Sequence, residues 1–155
     1  MPINRSEFLR PLSREHHDSL LLCWKIRIGF KKNIQISRIQ EYAEWFYKKH
    51  LIAHFDVEEK HVFPILGRDH DAVRRALAEH RRLKRLFEDI KAEEKNVGIV
   101  EELLEAHIRF EERVLFSAIE RIASASQLGE VQARHDGHTV EMKDHEEWQD
   151  EFWMN

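Results

Sequence analysis

Two stretches, HFDVEEKHVF at 54–63 and HIRFEERVLF at 107–116, share one skeleton: a histidine, three residues, two glutamates, then an apolar pair ending in phenylalanine. On a helix, residues four apart lie about 40° apart on one face. His54 with Glu58, and His107 with Glu111, therefore each aim an imidazole and a carboxylate the same way. Both pairs fall within apolar stripes, which points them at a core, where an unpaired carboxylate costs several kcal/mol. Two further segments, EHHDSL and EHRRLKRL, place His16 and His80 on stripes otherwise built of Leu, Val and Phe. The chain thus reads as a doubled unit, His16/His54/Glu58 and His80/His107/Glu111.

Four imidazoles and two carboxylates suit cations of intermediate hardness such as iron, manganese or zinc. Six protein ligands are too many for one tetrahedral zinc. They match two six-coordinate ions if the carboxylates bridge and water or hydroxide fills the remaining positions, and the ions then serve as counterions for buried Glu58 and Glu111. A single HxxxE pair is ordinarily a core histidine satisfied by a neighbouring glutamate. Two such pairs plus two more histidines, one set per helix and all in register, outweigh that account.

The elements that must position these groups are helices. Apolar periodicity gives four long segments. The first runs from about Leu12 to Phe30 with Ser13 as N-cap candidate, and the second opens after Ser37 and weakens near Pro64 and Gly67. The third starts at the cap candidate Asp71, and the fourth follows the break EEKNVG. Short connections make neighbouring helices antiparallel, so the expected fold is all-α, an up-down-up-down four-helix bundle over 1–125. A polar link follows Ala125. A C-terminal extension over 126–155 ends in an acidic, aromatic tail whose Met142, His145, Trp148 and Phe152 have helical spacing. That tail is expected to fold back on the bundle, on a dimer mate or on a partner. The 155 residues suit one core, and a net charge of −4 without a basic face argues against nucleic acid. One cysteine excludes an internal disulfide, and no window resembles a signal peptide or a membrane span, so a cytoplasmic location is expected.

With these residues in place, the chain resembles the hemerythrin-like (HHE cation-binding) domains. The matching pieces are LSREHHDSLL, HFDVEEKHVFPIL, AEHRRLKRLF and HIRFEERVLFSAI, covering about 10–122. The resemblance implies a four-helix bundle around a non-haem di-iron centre ligated by His16, His54, Glu58, His80, His107 and Glu111. Zinc or manganese are the substitutes for iron, and an oxo, hydroxo or water bridge would join the two ions. It further implies a diatomic ligand such as O2 or NO, in oxygen- or NO-linked iron chemistry, sensing or iron handling. One departure stands out. Oxygen-carrying hemerythrins place two histidines one turn apart on the third helix, whereas here Lys84 and Ala76 flank His80 at that spacing. This favours binding of exogenous ligands and redox chemistry over reversible oxygen carriage. A metal-binding role is expected ahead of dedicated catalysis. The competing classes are a di-iron oxidoreductase, for example on peroxide, and a metal-responsive interaction module reading out through the aromatic tail.

His61, His50 and Tyr47 share the second helix with His54 and are candidates for an extra ligand or for hydrogen bonds to one. Glu15 and Glu79 sit 100° from His16 and His80 and are expected at the surface or in helix contacts. Glu59 and Glu112 are offset likewise and expected to be solvated or ion-paired. His17, His70, His135, His138 and His145 lie off the stripes, and no chemistry is assigned to them. Glu58-Glu59-Lys60-His61 also spells the ExxH of ferritin-like di-iron proteins, but the fourth helix offers HxxxE instead, so that assignment is rejected.

Overall fold

A computed structural model of the protein describes residues 5–141 and 148–154. These residues form α1 (Arg10–Lys31), α2 (36–65), α3 (Asp71–Glu88), α4 (94–122) and α5 (Ala125–Glu141). Helices α1 and α3 each pack on α2 and α4, closing a four-helix bundle, and α5 lies against α1 and α2. No strand occurs among the described residues.

Local sequence sets the helix ends. Helix α1 begins earlier than Ser13, with Pro11 in its first turn, where a missing N–H costs nothing. Helix α3 is capped by His70 rather than Asp71: the His70 ring nitrogen accepts the Ala72 N–H at 3.1 Å. Helix α2 stops at Gly67, whose φ of +91° favours glycine and whose N–H returns to the Phe63 carbonyl. Gly29 serves a different end, since a Cβ there would lie 2.7 Å from Ile39 Cδ1 and 3.0 Å from Phe152. Its absence lets α2 and the tail close onto α1.

Two apolar clusters fill the bundle, one on each side of the polar layer that carries the histidines. One contains Leu22, Ile26, Ile39, Leu51, Leu83, Phe87, Val100 and Leu104. The other contains Leu9, Leu12, Val62, Phe63, Val73, Phe116 and Ile119.

The segment after Ala125 is not a polar link but helix α5. Ser124 and Gln127 form a reciprocal capping box, with Gln127 N–H donating to Ser124 Oγ at 3.1 Å and Ser124 N–H to Gln127 Oε1 at 2.9 Å. Leu128 and Val131 then join the second apolar cluster. Residues 148–154 are not helical. Trp148, Phe152 and Trp153 pack around Tyr42 with ring centroids 4.9–5.7 Å away, and Asp150 takes a two-pronged pair from Arg38. The tail positions Met142, Asp144, His145 and Glu147 lie outside the described residues.

Candidate metal centre

Each helix of the bundle delivers its share of the doubled unit to one polar layer. His16 comes from α1, His54 and Glu58 from α2, His80 from α3, His107 and Glu111 from α4, and all six are at most 3% exposed. The α-helical path breaks at both glutamates. Phe63 N–H bonds to the Glu58 carbonyl and Phe116 N–H to the Glu111 carbonyl, five residues back, so each glutamate opens a single π turn. Such turns recur at functional sites, because the inserted residue re-aims the neighbouring side chains.

The four Nε2 atoms converge on the two carboxylates. Glu58 Oε2 lies 3.1 Å from both His16 and His54, and Glu58 Oε1 lies 3.3 Å from His80. Glu111 mirrors this: Oε1 faces His107 and, at 3.1 Å, His80, while Oε2 lies 3.4 Å from His16. Each carboxylate therefore presents one oxygen to each half of the layer. Two four-residue donor sets result, His16/His54/Glu58/Glu111 and Glu58/His80/His107/Glu111, each with ligand atoms within 4.8 Å of one another.

The carboxylates that sequence reasoning placed at the surface or in salt bridges complete the design. Glu15 of α1 lies 2.8 Å from His54 Nδ1 on α2, and Glu59 of α2 lies 2.7 Å from His80 Nδ1 on α3. Glu79 of α3 lies 2.7 Å from His107 Nδ1 on α4, and Glu112 of α4 lies 3.6 Å from His16 Nδ1 on α1. Every helix thus supports the histidine of the next, in a closed ring. A carboxylate only accepts, so His54, His80 and His107 donate from Nδ1, which leaves Nε2 to face a metal ion once its own proton is lost. Glu112, at 3.6 Å, is too far from His16 Nδ1 for a hydrogen bond. The signal for this ring was present in the sequence, since each of the doublets Glu15-His16, Glu79-His80, Glu58-Glu59 and Glu111-Glu112 carries one of the outer carboxylates beside an inner ligand.

Charge fits the same picture. Burial alone would depress the His54 pKa, but Glu58 and Glu15 push it up to about 9. Burial acts likewise on His16, His80 and His107, and the surrounding carboxylates reverse it in each. Burial and mutual repulsion would raise the Glu58 carboxyl, yet His54 and His16 hold it below its ordinary range; Glu111 is held well below by His107 and its neighbours. In the metal-free chain protons hold the layer together. His54 Nε2, His107 Nε2, Glu58 Oε1 and Glu111 Oε2 are nonetheless buried without a hydrogen bond of good geometry. These unpaired atoms are of the types that bind intermediate cations, and they belong to the two buried donor sets, which fits metal binding.

His61, His50 and Tyr47 do not join either donor set among the described residues. The Tyr47 ring stacks on Phe87 and its hydroxyl donates to Glu88 at 3.1 Å. His50 lies against Trp45 and Phe46. Lys84 turns to Glu59, 3.1 Å away. Between α1 and α2 a cleft of about 240 Å³, lined by Glu15, Asp18, Lys25, Tyr42, Trp45 and His50, reaches His54. It offers small molecules an approach to the first donor set.

No helix among the described residues is long and apolar enough to cross a membrane. Comparison with curated proteins and with solved structures returns no match. The model of the hemerythrin HHE cation-binding domain matches residues 7–119, a span that holds all six inner residues and all four outer carboxylates. This chain, with its doubled histidine–glutamate layer, belongs to the hemerythrin HHE cation-binding family.

Proposed function

We propose that the protein holds two iron ions and works in O2- or NO-linked iron chemistry, sensing or iron handling. The observation that carries this reading is the sharing of Glu58 and Glu111 between two buried donor sets. Two ions held between these carboxylates would satisfy His54 Nε2, His107 Nε2, Glu58 Oε1 and Glu111 Oε2, which are otherwise buried and unpaired. His16 and His54 would hold one ion, His80 and His107 the other, with zinc or manganese able to occupy the same donors. Each set supplies four protein donors, which leaves positions on a six-coordinate ion for small exogenous ligands. When bound, such a pair supplies one-electron redox chemistry and affinity for diatomic molecules.

The chain's own residues then define what the centre does. Glu15, Glu59 and Glu79 accept from Nδ1 of His54, His80 and His107 and so orient those rings. Phe55 and Phe63 cover His80, with ring centroids 4.0 and 5.4 Å away, and Phe116 covers His16 at 5.0 Å, so apolar rings shield these two imidazoles from water. The third helix contributes one imidazole only, because Ala76 and Lys84 flank His80 and Lys84 turns to Glu59, and this would favour oxidation by O2 over reversible carriage. The cleft that reaches His54 gives specific support to a second reading, a di-iron oxidoreductase acting on a small substrate such as peroxide. Metal analysis of protein purified without air, followed by optical spectra with O2 and with NO, tests the first reading. Two irons per chain and a spectral response to either gas are expected, and a chain with no iron-dependent response would refute it. Sustained turnover of peroxide with an electron donor would move the assignment to the second.

A further inference from the structure

The four outer carboxylates differ in what holds them from behind. Glu59 rests on Lys84 at 3.1 Å, Glu79 on Arg75 at 2.9 Å, and Glu112 faces Arg5 at 3.6 Å, all permanent cations. Glu15 is different. One of its oxygens lies 2.8 Å from His54 Nδ1, and the other lies 3.1 Å from Nε2 of His135, a residue of α5 that is 7% exposed. Helix α5 lies wholly beyond the span matched by the family model. Leu128, Val131 and His135 share one face of it, and the two aliphatic residues seat that face in the core beside Leu9, Leu12 and Val57.

We infer that α5 is a working part of the metal centre: His135 is a positioning residue that, through Glu15, fixes the His54 imidazole and sets the affinity of the His16/His54/Glu58/Glu111 set for its ion. The inference rests on the di-metal reading above. Glu15 is the outer carboxylate most exposed to water, at 38% against 24–29% for the other three, and it lines the open cleft. A long side chain in that position has rotamers to spare unless a second partner restrains it. His135 supplies that partner from α5, and an oriented carboxylate keeps the imidazole proton on Nδ1 and Nε2 basic.

Anaerobic titration with Co²⁺, followed by its visible absorption bands, separates the two ions without redox chemistry. The unaltered chain is expected to take up two. His135→Ala should loosen one ion by about tenfold, the lower end of the range for groups behind a ligand, and leave the other ion and the melting of the apo-protein unchanged. His135→Gln, which keeps an N–H for Glu15, should recover most of the loss. Glu15→Gln should reproduce it, and combining it with His135→Ala should cost nothing further, because both act on one link. Unchanged affinity for both ions in His135→Ala would overturn the inference. So would full additivity with Glu15→Gln, or equal loosening of both ions together with a lower apo melting temperature. A wild-type chain that takes up fewer than two cobalt ions would defeat the di-metal reading itself, and the inference with it, before any substitution is made.

Discussion

The two halves of the metal layer are near copies inside and unlike outside. His16 and His54 meet with ring centroids 4.7 Å apart at 64°, and His80 and His107 meet at 4.8 Å and 65°. Both halves place a glutamate at the start of a π turn and lean each imidazole on a carboxylate from the preceding helix. Beyond that shell they part. The His80/His107 half rests on Lys84 and Arg75, from the same helix as His80, and is covered by Phe55 and Phe63. The His16/His54 half borders the α1/α2 cleft and draws its outer support from the chain ends, Arg5 and His135. The contrast teaches that a duplicated donor set can be repeated almost unchanged while its surroundings differ in access and in the charges that support it.

The largest effect is expected where the halves share residues. Glu58→Ala or Glu111→Ala should remove most of both ions, since each carboxylate faces both donor sets. His107→Ala should cost chiefly the ion of its own half. With ligand at a hundred to a thousand times Kd, binding is worth about 3–4 kcal/mol, so the metal-dependent rise in melting temperature should vanish in the glutamate variants. Apo forms of these variants should keep their helical content, because the apolar clusters do not involve the substituted atoms. Two metals per chain in Glu111→Ala would break the bridging assignment.

Next in size is the pH dependence. His54 in the apo-protein is raised from its ordinary value of 6.5 to about 9. The stability this contributes is complete below pH 6.5 and is lost as pH rises through about 9. Glu58 and Glu111 are lowered from 4.5, so their contribution is present above that value and is lost as pH falls below it. Apo-protein should therefore be most stable between about pH 4.5 and 6.5. A metal ion needs the Nε2 lone pair, so its stabilising effect should grow as pH rises from 6 towards 9. Melting curves with and without Zn²⁺ across that range check the sign, and a metal-induced gain that shrinks with rising pH would contradict it.

The inner layer was legible in the sequence because its geometry is local. An i, i+4 pair stacks whatever surrounds it, and four pieces in register leave few other arrangements. The outer ring was legible only in part. Glu15 and Glu79 do make helix contacts and Glu59 and Glu112 are ion-paired, as expected. That their partners include the inner histidines was not foreseen, because all four sit 100° off the core stripe. In isolation that flank looks solvent-facing, but in a bundle it is where the next helix packs. The π turns have no local signature of their own. Helix α5 hid behind its polar composition, although Ser124 and Gln127 spell a capping box and Leu128 and Val131 a short apolar stripe.

Glu79→Gln sharpens the comparison between halves. Glu79 is held by Arg75, and its carboxylate is 29% exposed. Losing its charge while keeping its shape should weaken the His107 side by roughly tenfold to a hundredfold in metal affinity. The effect should add to that of Glu15→Gln, because the two act on different ions. Strong coupling between them, measured by Co²⁺ titration of the double variant, would mean that the two halves do not respond independently.

The smallest effect is expected at Lys84, which with Ala76 flanks His80 at one-turn spacing on the third helix. Its ammonium lies 3.1 Å from Glu59, and the two side chains are 36% and 28% exposed. An ion pair that open to water contributes less than about 1 kcal/mol. Glu59 keeps its 2.7 Å contact with His80 Nδ1 whether or not Lys84 is charged. Lys84→Met should therefore bind two ions, melt within a few degrees of the unaltered chain, and shift metal affinity on the His80 side less than Glu79→Gln does. A strongly hydrated amine on a flexible stem is a poor ligand beside two anionic carboxylates, so its removal takes nothing from the donor set. Loss of one ion in Lys84→Met, with melting of the apo-protein unchanged, would show that the amine itself completes the second set. The halves would then differ in their inner ligands as well as in their surroundings.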